Sequence, residues 1–115
     1  MLKKENRLTK NKHFNYIYKH GQSVKNQHVV LVYAKTKVKP FKIGFSVSNK
    51  IGKATKRNKV KRRMREIVKS LIRQIDRRYN YIFVARESIV SLTYQELENQ
   101  IKQLISKAEL FNSEE

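Results

Sequence analysis

One stretch constrains this chain more than any other. From Lys53 to Ile75 it reads KATKRNKVKRRMREIVKSLIRQI, and eight basic residues with no acid fall between Lys53 and Arg65. Like charges at that density repel, so the stretch is either a disordered tail or a surface that something negative neutralises. Its apolar residues decide between the two. Val60, Met64, Ile67, Val68, Leu71 and Ile75 are separated by 4, 3, 1, 3 and 4 positions, the repeat of one buried stripe on an α-helix. At about 100° per residue the stripe fills a compact arc. Asn58, Arg62, Arg65 and Lys69 then stand one above another on the opposite side, with Lys59, Arg63 and Glu66 on one flank. A disordered tail has no reason to keep such a stripe. The expectation is a helix over 53–75, docked by its apolar edge and offering a cationic ridge to solvent. A merely solvated face would mix signs in i,i+4 pairs. A ridge of one sign costs repulsion unless phosphates dock on it. Arg57 falls near the stripe, so it either sits at the rim of the core or reaches round the helix end to a ligand. The second reading is favoured.

The rest of the chain agrees with a polyanion partner. A formal charge of +18 on 115 residues, with a pI near 10.4, makes nucleic acid the first candidate and an anionic membrane surface the second. The charge is uneven. Between Asn6 and Arg65 there are 18 basic residues and no acid, whereas from Asp76 onward 5 basic residues face 7 acidic ones. The first half and the central helix are therefore the interaction surface, and the last forty residues are scaffold. An apolar fraction of 39% with eleven aromatics suits one folded domain over 1–115 rather than a disordered chain. There is no cysteine, hence no disulfide and no thiolate metal site. No apolar run approaches the roughly 18 residues of a spanning helix, and MLKKENRLTKNKHF is no secretory leader. A soluble cytoplasmic protein with no membrane partner is expected.

Periodicity gives the order of elements. NKHFNYIYKHG reads as a short helix closed by Gly21. QHVVLVYAKT reads as a strand, preceded by a short extended piece, and KVKP as a turn around Pro40. KIGFSVS alternates Ile43, Phe45 and Val47 against Gly44, Ser46 and Ser48, which marks a second strand. After the central helix, YIFVAR is the continuous apolar run of an interior strand. TYQELENQIKQLISKAEL is the closing helix, with Thr93 and Glu96 at capping-box spacing and Leu97, Ile101, Leu104, Ile105 and Ala108 inward. The class is α+β: a small α-β sandwich in the order αβββαβα, a central sheet with helices packed on it.

No catalytic constellation emerges. Glu5, Glu66, Asp76 and Glu87 make no paired-carboxylate pattern of the kind metal nucleases need. His13, His20 and His28 lack ligand spacing, and three glycines allow no phosphate-cradling loop. The chain reads as a non-catalytic binder. DNA reading by a helix-turn-helix is disfavoured, because a strand and not a partner helix precedes the basic helix. RNA, bound through phosphates and through bases stacked on aromatics, suits a sheet with aromatics nearby.

The stretch KRNKVKRRMRE resembles the Arg-Asn-Arg signature of the bacterial ribonuclease P protein subunit. Arg57, Asn58, Lys59, Val60, Lys61, Arg62 and Arg65 match it in order. IGFSVSNKIGKAT is similar to the strand and loop before that signature, RLTKNKHFNYIYKHGQSVKN to the first helix and turn, and YIFVAR to the strand after it. The resemblance spans about residues 5–110. It implies a subunit of the ribonucleoprotein that removes the 5′ leader from precursor tRNA, in which the RNA carries the chemistry. The implied partners are that catalytic RNA and precursor tRNA, with no other protein required. It implies no cofactor held by the protein alone, with Mg²⁺ expected in the RNA–protein holoenzyme, and a left-handed βαβ crossover where chain physics alone favours a right-handed one. Carried over by position, RNA-subunit contacts fall on Lys53, Lys56, Arg57, Asn58, Lys59, Lys61, Arg62, Arg65 and Lys69. Leader contacts fall on Phe14, Tyr18, Val30, Val32, Ser46, Lys50, Val84 and Arg86.

The residues support part of that map. Phe14 and Tyr18, four apart, share a helix face, but spacing alone favours plain core packing for them. Ser46 lies on the small face of its strand, and Val84 and Arg86 are expected on one strand face. Three positions depart from the family pattern. Lys59 replaces an arginine, giving a point charge in place of a fork. Val32 stands where an aromatic is frequent, which removes a stacking surface, and Asn49 stands where lysine is common. The alternative from another class is a structural rRNA-binding protein whose basic helix only neutralises charge. A membrane-surface helix is weaker still, since the basic helix has no bulky aromatics.

Overall fold

The computed structural model describes residues 3–112. A 3₁₀ turn at Lys4–Asn6 leads into helix α1 (Asn11–His20) and strands β1 (Gln22–Lys25), β2 (Val29–Lys35) and β3 (Ile43–Ser46). A second 3₁₀ turn, Asn49–Ile51, precedes helix α2 (Ala54–Leu71). Strand β4 (Tyr79–Ala85), a third 3₁₀ turn at Glu87–Ser91 and helix α3 (Tyr94–Lys107) complete the chain. The αβββαβα order read from the sequence is the order observed, and the class is α+β.

The strands form one mixed sheet in the order β1-β2-β4-β3. β1 pairs with β2, and β2 with β4, in antiparallel fashion, while β3 and β4 run parallel. A parallel pair cannot be closed by a tight turn, and α2 is the crossover between its two strands. The central strands VVLVYAK and YNYIFVA are apolar on both faces because both faces are covered. On one side Val29, Leu31, Tyr33, Ile43, Tyr81 and Phe83 pack with the inward stripes of α2 and α3. An aromatic file runs through that core, with ring centroids 5.8 Å apart for Phe45 and Phe83 and 6.4 Å for Phe83 and Tyr81. On the other side Val32, Ala34 and Ile82 pack against Leu8 and Ile17, beneath α1.

Local chemistry sets the element ends. Thr93 Oγ1 accepts the Glu96 N–H at 3.1 Å, and the Glu96 carboxylate accepts the Thr93 N–H at 2.9 Å, so the capping box starts α3 where its spacing indicated. Gly21 closes α1 in extended conformation (φ −85°), not in the left-handed one. A side chain there would collide with the Ile17 carbonyl, 2.5 Å from an ideal Cβ.

Three expectations are corrected. The central helix ends at Leu71 and not at Ile75. Its last turn tightens, with the Ile72 N–H donating to Lys69 and the Gln74 N–H to Leu71. Ile75 is fully buried all the same, in the core that the α2 stripe also enters, from a position beyond the helix where its backbone forms an antiparallel bridge to Phe111. β3 stops at Ser46, leaving Val47 and Ser48 in the connection to α2. β4 begins at Tyr79 and ends at Ala85, which places Arg86 beyond the strand.

Candidate nucleic-acid interface

Helix α2 carries the ridge as its periodicity requires. Val60, Met64, Ile67, Val68 and Leu71 are buried, while Asn58, Arg62 and Lys69 are exposed and Arg65 is half-buried. Lys53, Lys56 and Lys59 are exposed, and Lys61 is half-buried beside the stripe. Among the described residues the only ion pair within 4.0 Å is Arg78–Asp76. The chain's own described carboxylates therefore leave the charge of the ridge unpaired. The helix opens at Lys53 with no side-chain cap and no acid in its first turn. Its free N–H groups and positive dipole end add to Lys53 and Lys56 as an attractor for anions.

Arg57 resolves toward the rim. Its guanidinium donates from Nη1 to the Gly52 carbonyl at 3.1 Å and is half-buried, tying the loop before α2 to the first helical turn. Gly52 itself sits at φ 143°, a conformation L side chains rarely adopt. One edge of its fork is thus held at the rim, and the rest of the guanidinium stays half-exposed beside the first turn of the ridge.

The residues matched to a leader cleft come from five chain segments, and the sheet register brings most of them together. Ser46 pairs with Val84, and Val84 with Val30. These three form one rung across β3, β4 and β2, on the face that α1 covers. The next rung, Gly44–Ile82–Val32, lies under α1, whereas the Ser46–Val84–Val30 rung is only half-buried. α1 leaves this rung partly uncovered, and an open trough remains beside it. Phe14 and Tyr18 form one wall, with ring centroids 6.4 Å apart and Tyr18 45% exposed. Arg86 follows directly on β4 and Lys50 lies four residues past the end of β3, in the second 3₁₀ turn, so both cations stand beyond the end of the parallel pair where this rung lies, and they line a shared cleft of about 420 Å³ with Ser48, Glu87 and Ser88.

Two residues of that map behave differently. Val32 is only 8% exposed beneath α1, so it supports the wall and offers no surface. Arg86 does not share a strand face with Val84. It caps the 3₁₀ turn after β4, its N–H donating to the His28 carbonyl at 2.9 Å and its Nη1 to the Asn26 carbonyl at 3.2 Å. Those bonds fix the guanidinium at the mouth of the trough. Asn26 in turn accepts the N–H groups of His28 and Val29 at 2.9 Å each, which shapes the turn into β2.

Beside Lys69 of the ridge, the fold gathers cations that sequence reading missed. Lys3, Lys39, Lys69, Arg73, Arg77 and Arg78 line a cleft of about 830 Å³ at the far end of α2, with Glu5 as its one acidic lining residue. They belong to distant parts of the chain, so no linear motif signals them. Only the overall excess of charge hinted that such a surface exists. Among the described residues no three His, Asp or Glu side chains gather in a way that could hold a metal ion, and no helix is long and apolar enough to cross a membrane.

Comparison with known proteins identifies the family. The family described as Ribonuclease P matches residues 2–109. A ribonuclease P protein component of Clostridium botulinum (strain 657 / Type Ba4) is 37% identical over 95% of this chain and 99% of its own length. One of Bacillus mycoides (strain KBAB4) is 40% identical over 87% of this chain and 88% of its own. The 2.0 Å structure of the Staphylococcus aureus RNase P protein superposes with a TM-score of 0.88 at 35% identity, covering 95% of this chain and all of that one. With a family match over residues 2–109, relatives alike over nearly their whole length and a fold that superposes on theirs, the chain belongs to the ribonuclease P protein family.

Proposed function

We propose that this chain is the protein subunit of a ribonuclease P ribonucleoprotein. It docks the catalytic RNA on the α2 ridge and holds the single-stranded 5′ leader of precursor tRNA in the trough beside α1. The observation that carries this reading is the open Ser46–Val84–Val30 rung, walled by Phe14 and Tyr18 and closed at one end by Lys50 and Arg86. A flat apolar floor, two aromatic rings and two cations suit bases and phosphates of an unpaired strand. The ridge, in contrast, presents phosphate-binding charge without stacking surface.

The chain's role in cleavage is indirect. The holoenzyme chemistry implies divalent metal, but the donor set here does not fit one: among the described residues the polar groups of the trough and the ridge are mostly Lys and Arg, and Glu87 and Glu66 stand there singly with no group of three His, Asp or Glu. The reading therefore leaves the metal with the RNA. What the protein supplies is binding: it positions the leader, and it lowers the repulsion between two polyanions by inserting positive charge between them.

The test is reconstitution. The protein is mixed with bacterial ribonuclease P RNA and a leader-bearing precursor tRNA at low Mg²⁺. Leader removal is expected to rise well above that of the RNA alone. A rate equal to RNA alone, under conditions where the protein is folded, would refute the proposal.

A further inference from the structure

We infer that the opposite flank of α1 carries a second site, one that takes an unpaired segment of the catalytic RNA. Tyr16 is 57% exposed, the most open aromatic among the large exposed side chains. It stands two residues from both Phe14 and Tyr18, about 200° round the helix from either, so it cannot serve the leader trough. Its ring is held by His20, with centroids 4.4 Å apart. Beside it opens a cavity of about 750 Å³ between α1 and the β2–β3 connection. Leu8, Ile17 and Ala34 give this cavity an apolar floor, and every charged group lining it is basic: Lys35, Lys37, Lys42 and Arg78, with His13 as a further nitrogen. Lys42 Nζ donates to the Glu5 carbonyl at 2.9 Å, which steadies one wall and leaves Lys35 and Lys37 exposed.

A rigid aromatic face beside a cationic, acid-free hollow has the chemistry of a nucleotide site: a base on the ring, phosphates on the ammonium groups. Its continuity selects the RNA. Arg78 lines both this hollow and the basic cleft that ends at Lys69, the last cation of the α2 ridge. The proposed RNA-subunit surface thus runs from the ridge, round the end of the sheet, to Tyr16, the two hollows meeting at Arg78, whose guanidinium is itself paired with Asp76. The leader trough lies on the other side of α1. This inference rests on the reading of the ridge given above.

The experiment compares the intact protein with Tyr16→Ala, Tyr16→Phe, the double variant Lys35→Ala/Lys37→Ala and, as a reference, Arg62→Ala/Arg65→Ala. Two quantities are read: affinity for the ribonuclease P RNA, and the gain in holoenzyme affinity when a precursor tRNA carries a leader. All substituted groups are exposed or half-buried, and circular dichroism confirms folding. Tyr16→Ala is expected to weaken RNA-subunit binding roughly tenfold, as loss of one stacked base does. Tyr16→Phe should stay within about twofold, since the π-face is kept. Lys35→Ala/Lys37→Ala should flatten the salt dependence, and the leader-dependent gain should not change. Wild-type affinity in Tyr16→Ala would overturn the second site while leaving the ridge intact, provided Arg62→Ala/Arg65→Ala is impaired. A loss seen only with leader-bearing substrate would overturn the assignment to the RNA subunit. Failure of the wild-type protein to bind the RNA would remove both readings together.

Discussion

The ring of Phe14 fills the space above Gly44: a Cβ built on that glycine would lie 2.6 Å from the ring's Cζ and 2.9 Å from Leu8 Cδ2. The glycine is therefore what lets α1 sit down on the sheet with its aromatic wall beside the open rung. Gly44→Ala is expected to push the ring outward. Overpacking of this kind costs about 1–3 kcal/mol, and the displaced ring narrows the trough. Urea unfolding should show a lower midpoint with an unchanged slope, and a leader oligonucleotide should bind more weakly. Wild-type stability in Gly44→Ala would mean that α1 can lift off the sheet at little cost.

Phe14→Ala and Tyr18→Ala test the wall. Tyr18 is the more exposed ring, while Phe14 is half-buried against the second core. Each should reduce affinity for a leader-bearing substrate by about 1–3 kcal/mol if a base stacks on it. Affinity for a leaderless substrate should be unchanged. Phe14→Ala should also lower the melting temperature, and Tyr18→Ala should not. Equal losses with both substrates would remove the stacking role.

Arg62→Ala with Arg65→Ala removes two cations from the ridge and touches no core residue. RNA-subunit binding should weaken, and the slope of log K against log salt should become shallower. Each lost phosphate contact contributes about 0.9 to that slope on duplex and about 0.7 on a single strand, so the change reports what kind of RNA the ridge meets. An unaltered slope would show that these arginines touch no phosphate.

Much of this was legible in the residues. The stripe from Val60 to Leu71 located α2 and its exposed charge, because burial and helical period leave a joint signature. The Thr93–Glu96 spacing placed the start of α3 for the same reason: the signal is local. What was not legible is tertiary. The sequence puts Ser46 on the small face of one strand and Val84 in the apolar run of another, but only the parallel β3–β4 register puts them on one rung. Arg86 looked like a strand residue because the apolar run before it continues to its neighbour, yet the ladder stops at Ala85. Ile75 joins the same core as the stripe, but from beyond the helix end, where its backbone bridges Phe111. The cations that line the clefts around Arg78 are scattered along the chain and become a surface only when the sheet end gathers them.

Acid sensitivity should centre on Asp76. Its carboxylate accepts the Arg78 N–H at 2.9 Å, Nε at 3.0 Å and Nη2 at 2.8 Å, and its carbonyl accepts the Tyr81 hydroxyl at 2.5 Å. The side-chain bonds from Arg78 hold this carboxyl below its ordinary range, against the opposing effect of burial. A carboxyl with a depressed folded pKa is protonated first in the unfolded chain. Its contribution is fully present above the unfolded value of about 3.9 and is lost as pH falls through the lower folded value. The melting temperature should drop more steeply below about pH 4 in the wild type than in Asp76→Asn, and the two curves should run parallel near neutrality. Glu96 is shifted the same way by its bonds to Thr93, so the difference between the curves isolates Asp76. Identical profiles would show that the carboxylate is not specifically stabilised by folding.

The charge imbalance predicts a polyanion-dependent fold. A net charge of +18 on 115 residues, with one intramolecular ion pair among the described residues, leaves the native state under its own repulsion. Compaction brings the cations of the ridge and of the clefts around Arg78 closer than they are in an unfolded chain, so the repulsion weighs more on the folded state. Anything that binds the folded surface and not the unfolded chain stabilises it by mass action. Sulfate, added to the protein in low-salt buffer, should raise both helical ellipticity and melting temperature. Chloride at the same ionic strength should do less, because screening alone acts on both states. Arg62→Ala with Arg65→Ala should melt higher than wild type in low salt and gain less from sulfate. Equal effects of sulfate and chloride on all variants would reduce the phenomenon to screening, with no anion seated on the ridge.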